Sequence, residues 1–138
     1  MKLDLWADLS FHREIDLMIL QPHGVVDEPY VEKVIDLMER AEDEAERPFN
    51  RYIDLSKLEE IDLSFEYVFQ IGLYRRLAYG ERPPIKSAFH VIDRATAEVA
   101  LTHAAATAGS PIQARVFLSK EGAADWLDVS ITDLELYR

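Results

Sequence analysis

Residues 50–66 read NRYIDLSKLEEIDLSFE, and the fold turns on how this stretch divides. The triplet Asp-Leu-Ser occurs in it twice, at Asp54–Ser56 and at Asp62–Ser64. Tyr52, Ile53, Asp54 and Leu55 have the β-rich, half-apolar character of a short strand that stops at the first triplet. After the second triplet a run of large side chains continues to Tyr79 and halts at Gly80. That run predicts a helix over about 64–79, with Asp62 or Ser64 supplying the N-terminal cap. The two triplets then serve different turns, one closing a strand and the other opening a helix.

The same alternation of strand and helix extends outward. Leu3, Leu5, Ala7 and Leu9 alternate with polar or aromatic neighbours and predict a first strand. His12 and Arg13 turn the chain into a second strand over 15–20. Asp27 is an N-cap, with Pro29 in the first turn of a helix whose stripe is Val31, Val34, Ile35, Met38, Ala41 and Ala45. Past Pro83 and Pro84 the pattern predicts a strand over 85–92, an alanine-rich helix over 94–108 and a strand over 112–118. A helix over 120–127 follows, in which Trp126 and Leu127 plug the end of the core with Phe117 beneath them. A last edge strand is predicted over 131–137. The order β-β-α-β-α-β-α-β-α implies an α/β fold, a mixed sheet of about five strands covered by helices, in one domain spanning residues 1–138.

Composition narrows the function. The chain has no cysteine, which removes disulfides, thiolate chemistry and cysteine-based zinc sites. Net charge is −11, which argues against nucleic acid as a partner. No apolar run approaches the roughly 20 residues of a membrane span, and the start MKLDLWADLS lacks the features of a signal peptide, so a cytoplasmic location is expected. The charge is uneven. Residues 27–66 carry 14 acidic and 5 basic side chains, whereas Arg75, Arg76, Arg82 and Lys86 form a basic cluster just past the second helix.

Candidate chemistry is sparse. Asp54 and Ser56 fall at the C-terminal end of a central parallel strand, the edge where ligands bind in open α/β sheets. They form a ligand- or partner-facing rim, or they bond back to their own loop as turn residues do. The four histidines, His12, His23, His90 and His103, share no metal-ligand spacing. His90 and His103 read as core or edge residues, and no metal or cofactor is expected. A hydrolase assembled from Ser64, His90 and Asp54 lacks any Gly-x-Ser-x-Gly elbow, and there is no glycine-rich phosphate loop. The basic cluster reads as a solvated helix cap or, around Arg75 and Arg76, as a docking patch for an acidic surface. The second helix has large apolar side chains on more than one face, Phe65, Val68, Phe69, Ile71 and Leu73 among them. Such a helix lies under a thick core or meets a partner or ligand.

Three segments resemble one known superfamily. YIDLSKLEEIDLS is similar to a strand ending in Asp-Leu-Ser, a short loop, and Ile-Asp-x-Ser at a helix start. IKSAFHVID and QARVFLSKEGAADWL are similar to later segments of the same pattern. Together they resemble the STAS superfamily (sulfate transporter and anti-sigma-factor antagonist domains), and its SpoIIAA-like branch most closely, over about residues 14–128. The resemblance implies a regulatory, non-enzymatic protein-binding module. It also implies that Ser64 stands at the position phosphorylated in anti-sigma antagonists. Here Leu63 and Phe65 replace a serine and a glycine of the family's Asp-Ser-Ser-Gly. The expected function is therefore a regulatory or protein-binding module, associating with a protein partner or with itself as a homodimer. Its rim comprises Asp54, Ser56, Asp62, Ser64, Arg75 and Arg76. The alternative is a carrier of a small apolar or lipid-like ligand held between helices and sheet. A hydrolase comes last.

Overall fold

A computed structural model describes residues 7–136. Its main sheet has five strands, in spatial order β1 (Leu9–His12), β2 (Leu17–Leu20), β4 (Asn50–Asp54), β6 (Ile85–His90) and β7 (Ile112–Phe117). β1 is antiparallel to β2, and every later pairing is parallel. The helices are α1 (Glu28–Ala45), α2 (Phe65–Tyr79), α3 (Arg94–Thr107) and α4 (Lys120–Leu127). β3 (Val25–Val26) and β5 (Glu60–Ile61) pair as a separate two-stranded parallel ribbon.

Caps set the helix starts. Asp27, Ser64, Asp93 and Ser119 each accept a hydrogen bond from the backbone N–H three residues on, satisfying one of the free donors of a first turn. At the far end of α2, Gly80 takes φ 65°, a conformation that costs glycine little.

The strand order advances one way, β2 to β4 to β6 to β7. Successive right-handed crossovers in one direction place α1, α2 and α3 on the same face. Strand alternation then divides the side chains. Met18, Leu20, Arg51, Ile53, Ser87 and Phe89 point toward those three helices. Leu17, Ile19, Tyr52 and Ala88 point to the other face, where Ala123, Ala124 and Leu127 of α4 and Leu134 cover them. The sheet is thus a layer between three helices and one.

Three expectations need correction, and one element was not anticipated. The predicted last strand over 131–137 is a 3-10 turn, Ile131–Leu134. Ser130 and Asp133 form a reciprocal capping box there, and Leu134 is buried as a plug. Local capping outweighs β-propensity in a segment that pairs with no strand among the described residues. The predicted first strand lies partly outside the described residues, and the observed β1 runs to His12, so the reversal comes later than expected. A 3-10 turn, Arg13–Ile15, and Asp16 at φ 50° make that reversal. The β3–β5 ribbon was not anticipated, because two residues carry no periodicity. Finally, Leu127 occupies the sealed position in α4, while Trp126 lies half-buried against Phe117, ring centroids 5.5 Å apart. Lys86 and Arg115 stand over the Trp126 ring.

Candidate functional site

One concavity lies against the core and is partly open to solvent. Between the sheet and α1, α2 and α3 lies a cavity of about 160 Å³. A well-packed interior rarely leaves a void larger than a water molecule. An engineered apolar cavity of ~150 Å³ stays dry and takes up benzene.

Its upper part, toward the C-terminal ends of the strands, is apolar: Leu20, Pro22, Val26, Leu55, Ile61 and Leu63 line it. The β3–β5 ribbon and its flanks thus form the roof. The waist is Val34 and Met38 of α1 against Val68 and Ile71 of α2. α2 leans closely on α3: a Cβ built on Gly72 would come 2.6 Å from Ala106 Cβ. By contrast, α1 and α2 are bridged by polar contacts about two turns apart. Tyr67 Oη donates to Glu32 at 3.4 Å, and Arg75 Nη1 donates to Glu39 at 2.5 Å. Between these bridges Ile35 and Ile71, both half-buried, line the cavity.

The floor, toward the N-terminal ends of the strands, is charged. Arg51 and Arg75 are almost wholly buried there, with side chains 5% and 6% exposed. Glu42 is fully buried; its Oε2 accepts from Arg51 Nη2 at 3.1 Å and from the Phe49 N–H at 2.9 Å. Its Oε1 has no hydrogen-bond partner and faces Arg82 at 3.8 Å. Arg51 Nε is buried without a partner. Burial pulls the Arg51 pKa down and Arg75 adds to this, against the opposing pull of Glu42. His103 of α3 lines the same floor. Burial, with Arg51 and Arg75, lowers its pKa to about 4, so the ring is neutral at pH 7.

The residues named from sequence are dispersed. Asp54 is buried, and its oxygens accept from the Ser56 N–H at 2.9 Å, Ser56 Oγ at 2.5 Å and Gln21 Nε2 at 2.8 Å, with His90 Nδ1 at 3.4 Å. Burial alone would raise its pKa; the Ser56 and Gln21 hydrogen bonds and His90 outweigh it, and the net shift is downward. Asp54 and Ser56 face the α4 side of the sheet, away from the cavity. The strand order also lacks the reversal that opens a crevice at the carboxyl ends of doubly wound sheets. Ser64 is exposed and accepts from the Tyr67 N–H at 3.1 Å, and Asp62 is exposed beside it. Arg76 donates to the Ala108 carbonyl at 2.8 Å. The basic cluster is not one solvated cap: Arg75 turns inward to the cavity, while Lys86 reaches the Trp126 carbonyl on the opposite face at 2.8 Å.

Sequence reasoning missed Arg51, Glu42 and the role of His103. A signal for the first two was present. Glu42 follows Val34 and Met38 at helical spacing, on the apolar stripe of α1. Arg51 alternates with Ile53 on one face of its strand. A charge at a core position of each of two neighbouring elements points to a buried pair. Among the described residues no group of His, Asp and Glu could hold a metal ion, and no helix is long and apolar enough to cross a membrane.

No family model matches the chain, and no curated protein matches it. Among solved structures it is similar to an uncharacterized protein from the DUF3478 family with a SpoIIAA-like fold, from Shewanella loihica PV-4. The TM-score is 0.52 over 80% of this chain and 83% of that one, at 19% identity. The chain therefore has a SpoIIAA-like α/β fold, as the three sequence segments implied. The likeness is one of architecture.

Proposed function

We propose that this chain is a non-enzymatic binding module that holds a small, apolar-bodied ligand between its sheet and α1, α2 and α3. The observation behind this reading is the cavity of about 160 Å³ with its apolar roof and waist. A void of that size forfeits dispersion contacts around its whole lining, and an apolar guest restores them. The hydrolase triad weighed from the sequence is not assembled in it: Ser64 is a helix cap outside it, and Asp54 and His90 are on the opposite face of the sheet.

A second reading, as a module that docks a protein partner, is favoured by one specific feature. Phe65, Phe69, Leu73 and Leu77 recur every four residues along α2, and each is between 40% and 82% exposed. The two readings are compatible, since α2 presents one face to the cavity and another to solvent.

Native mass spectrometry of freshly purified protein, followed by NMR titration with toluene, tests the first reading. A mass excess lost on denaturation is expected, or saturable shifts confined to Val34, Val68 and their neighbours. Absence of both would overturn it. A dimer with an empty cavity would favour the docking reading instead.

A further inference from the structure

We infer that the ligand of this cavity is a monocarboxylate, its carboxylate seated on Arg51 and Arg75 and its apolar body, about the size of a benzene ring, directed toward the roof. This rests on the ligand-binding reading above and adds the chemistry of the head group.

The first argument is charge balance. The two guanidinium groups of the floor, Arg51 and Arg75, are almost wholly buried, whereas of the carboxylates paired with them Glu42 is buried and Glu39 is a third exposed. Water screens Glu39 more than Arg75, so the positive charge of the floor is incompletely compensated next to an apolar void; Arg82, 41% exposed, lies in solvent and does not add to it. Leaving a charge uncompensated in such surroundings is unfavourable. A singly charged anion balances it; a dianion overshoots.

The second argument is donor geometry. Arg51 uses Nη2 on Glu42 and leaves Nε without a partner. Arg75 uses Nη1 on Glu39. Ser87 lies directly opposite Arg51 in the β4–β6 register and also lines the cavity. Two forked guanidinium groups and a hydroxyl suit a planar carboxylate. The third argument is size: 160 Å³ matches the ~150 Å³ that accepts benzene.

His103 reports on occupancy. The charged groups that act on it are Arg51 on β4 and Arg75 on α2, which are in turn paired with Glu42 and Glu39 of α1. An anion placed among them opposes the field of the two arginines, so the imidazole pKa rises on binding.

The test compares benzoate, benzyl alcohol and phenyl phosphate on the unmodified chain, by calorimetry at pH 7.5 and by NMR titration of the His103 ring. Benzoate is expected to bind at least tenfold more tightly than benzyl alcohol and phenyl phosphate. The His103 pKa should rise from about 4 when benzoate is present. On Arg75→Met the preference for benzoate over benzyl alcohol, both measured on that variant, should fall from at least tenfold to less than about threefold. Equal or tighter binding of the alcohol overturns the carboxylate assignment while sparing the apolar pocket, and tighter binding of phenyl phosphate overturns the single charge. If none of the three binds, and toluene does not, the ligand-binding reading itself fails. The ligand comparison needs no variant, so it stands even if Arg75→Met does not fold.

Discussion

Filling the cavity from the side of α2 would separate stability from binding. Val68 is 4% exposed, sits at the centre of the buried face of α2 and lines the void. At about 24 cal/mol per Å³, a sealed void of 160 Å³ would leave roughly 4 kcal/mol of packing unrealised, an upper bound for a concavity partly open to solvent. Val68→Phe adds four carbon atoms beyond a Cβ already aimed inward. At about 0.8 kcal/mol per buried carbon the gain has a ceiling near 3 kcal/mol. Imperfect fit of a rigid ring removes part of that, since overpacking typically costs 1–3 kcal/mol. The expected net effect is a stabilisation of about 0.5–2 kcal/mol, read as a higher urea midpoint at unchanged slope. Affinity for toluene or benzoate should fall at least tenfold, because the ring occupies the guest's place. A variant destabilised by 1 kcal/mol or more that still binds both probes as before would refute the reasoning. The void would then not be where Val68 points.

Gly72→Ala should destabilise by about 1–3 kcal/mol, because the new methyl would meet Ala106 Cβ at 2.6 Å; Ala106→Gly in the same chain should restore most of the loss, and a double-mutant cycle in urea measures it. His103 has a folded-state pKa of about 4 against an ordinary value of 6.5, so the unfolded chain takes up its proton first as pH falls. Its share of stability is complete above pH 6.5 and drains between pH 6.5 and 4 by about 3 kcal/mol, at 1.36 kcal/mol per unit. His103→Gln should flatten that part of the stability–pH curve, and an unchanged curve would count against the burial of the ring. Trp126→Ala should cost about 2 kcal/mol by chemical denaturation, below the 3–5 kcal/mol of a sealed aromatic, because the ring rests half-buried on Phe117.

Much of the architecture was legible in the chain. Asp27, Ser64, Asp93 and Ser119 cap helices whose stop signals, Pro48, Gly80 and Gly109, are equally local, so the boundaries of α1 to α4 follow from short-range chemistry. α4 is a clear case, predicted and found over 120–127. The succession of parallel strands followed from the short crossovers, because the handedness of such links is nearly invariant. The face on which Arg51 and Ile53 lie was also implicit, since a strand alternates. Where local chemistry was weak, as at Ile131–Leu134 and in the two-residue β3 and β5, the pattern misled or was silent.

The cavity belongs to the other category. The sequence showed that α2 had too many large side chains for one buried face, but not which of them would close on a neighbour. That depends on distances between elements far apart in the chain. Gly72 draws α2 tightly onto Ala106 of α3, while Arg75–Glu39 and Tyr67–Glu32 bridge α2 and α1. Arg75 looked like a cation at a helix end and became the floor of a void, because the last turn of α2 lies over Arg51 and beside Glu39. Strand alternation and helical periodicity are properties of one segment and survive in the linear text. Whether two layers meet or leave space is set by the sizes of side chains brought together from different segments, and only the folded chain makes that comparison.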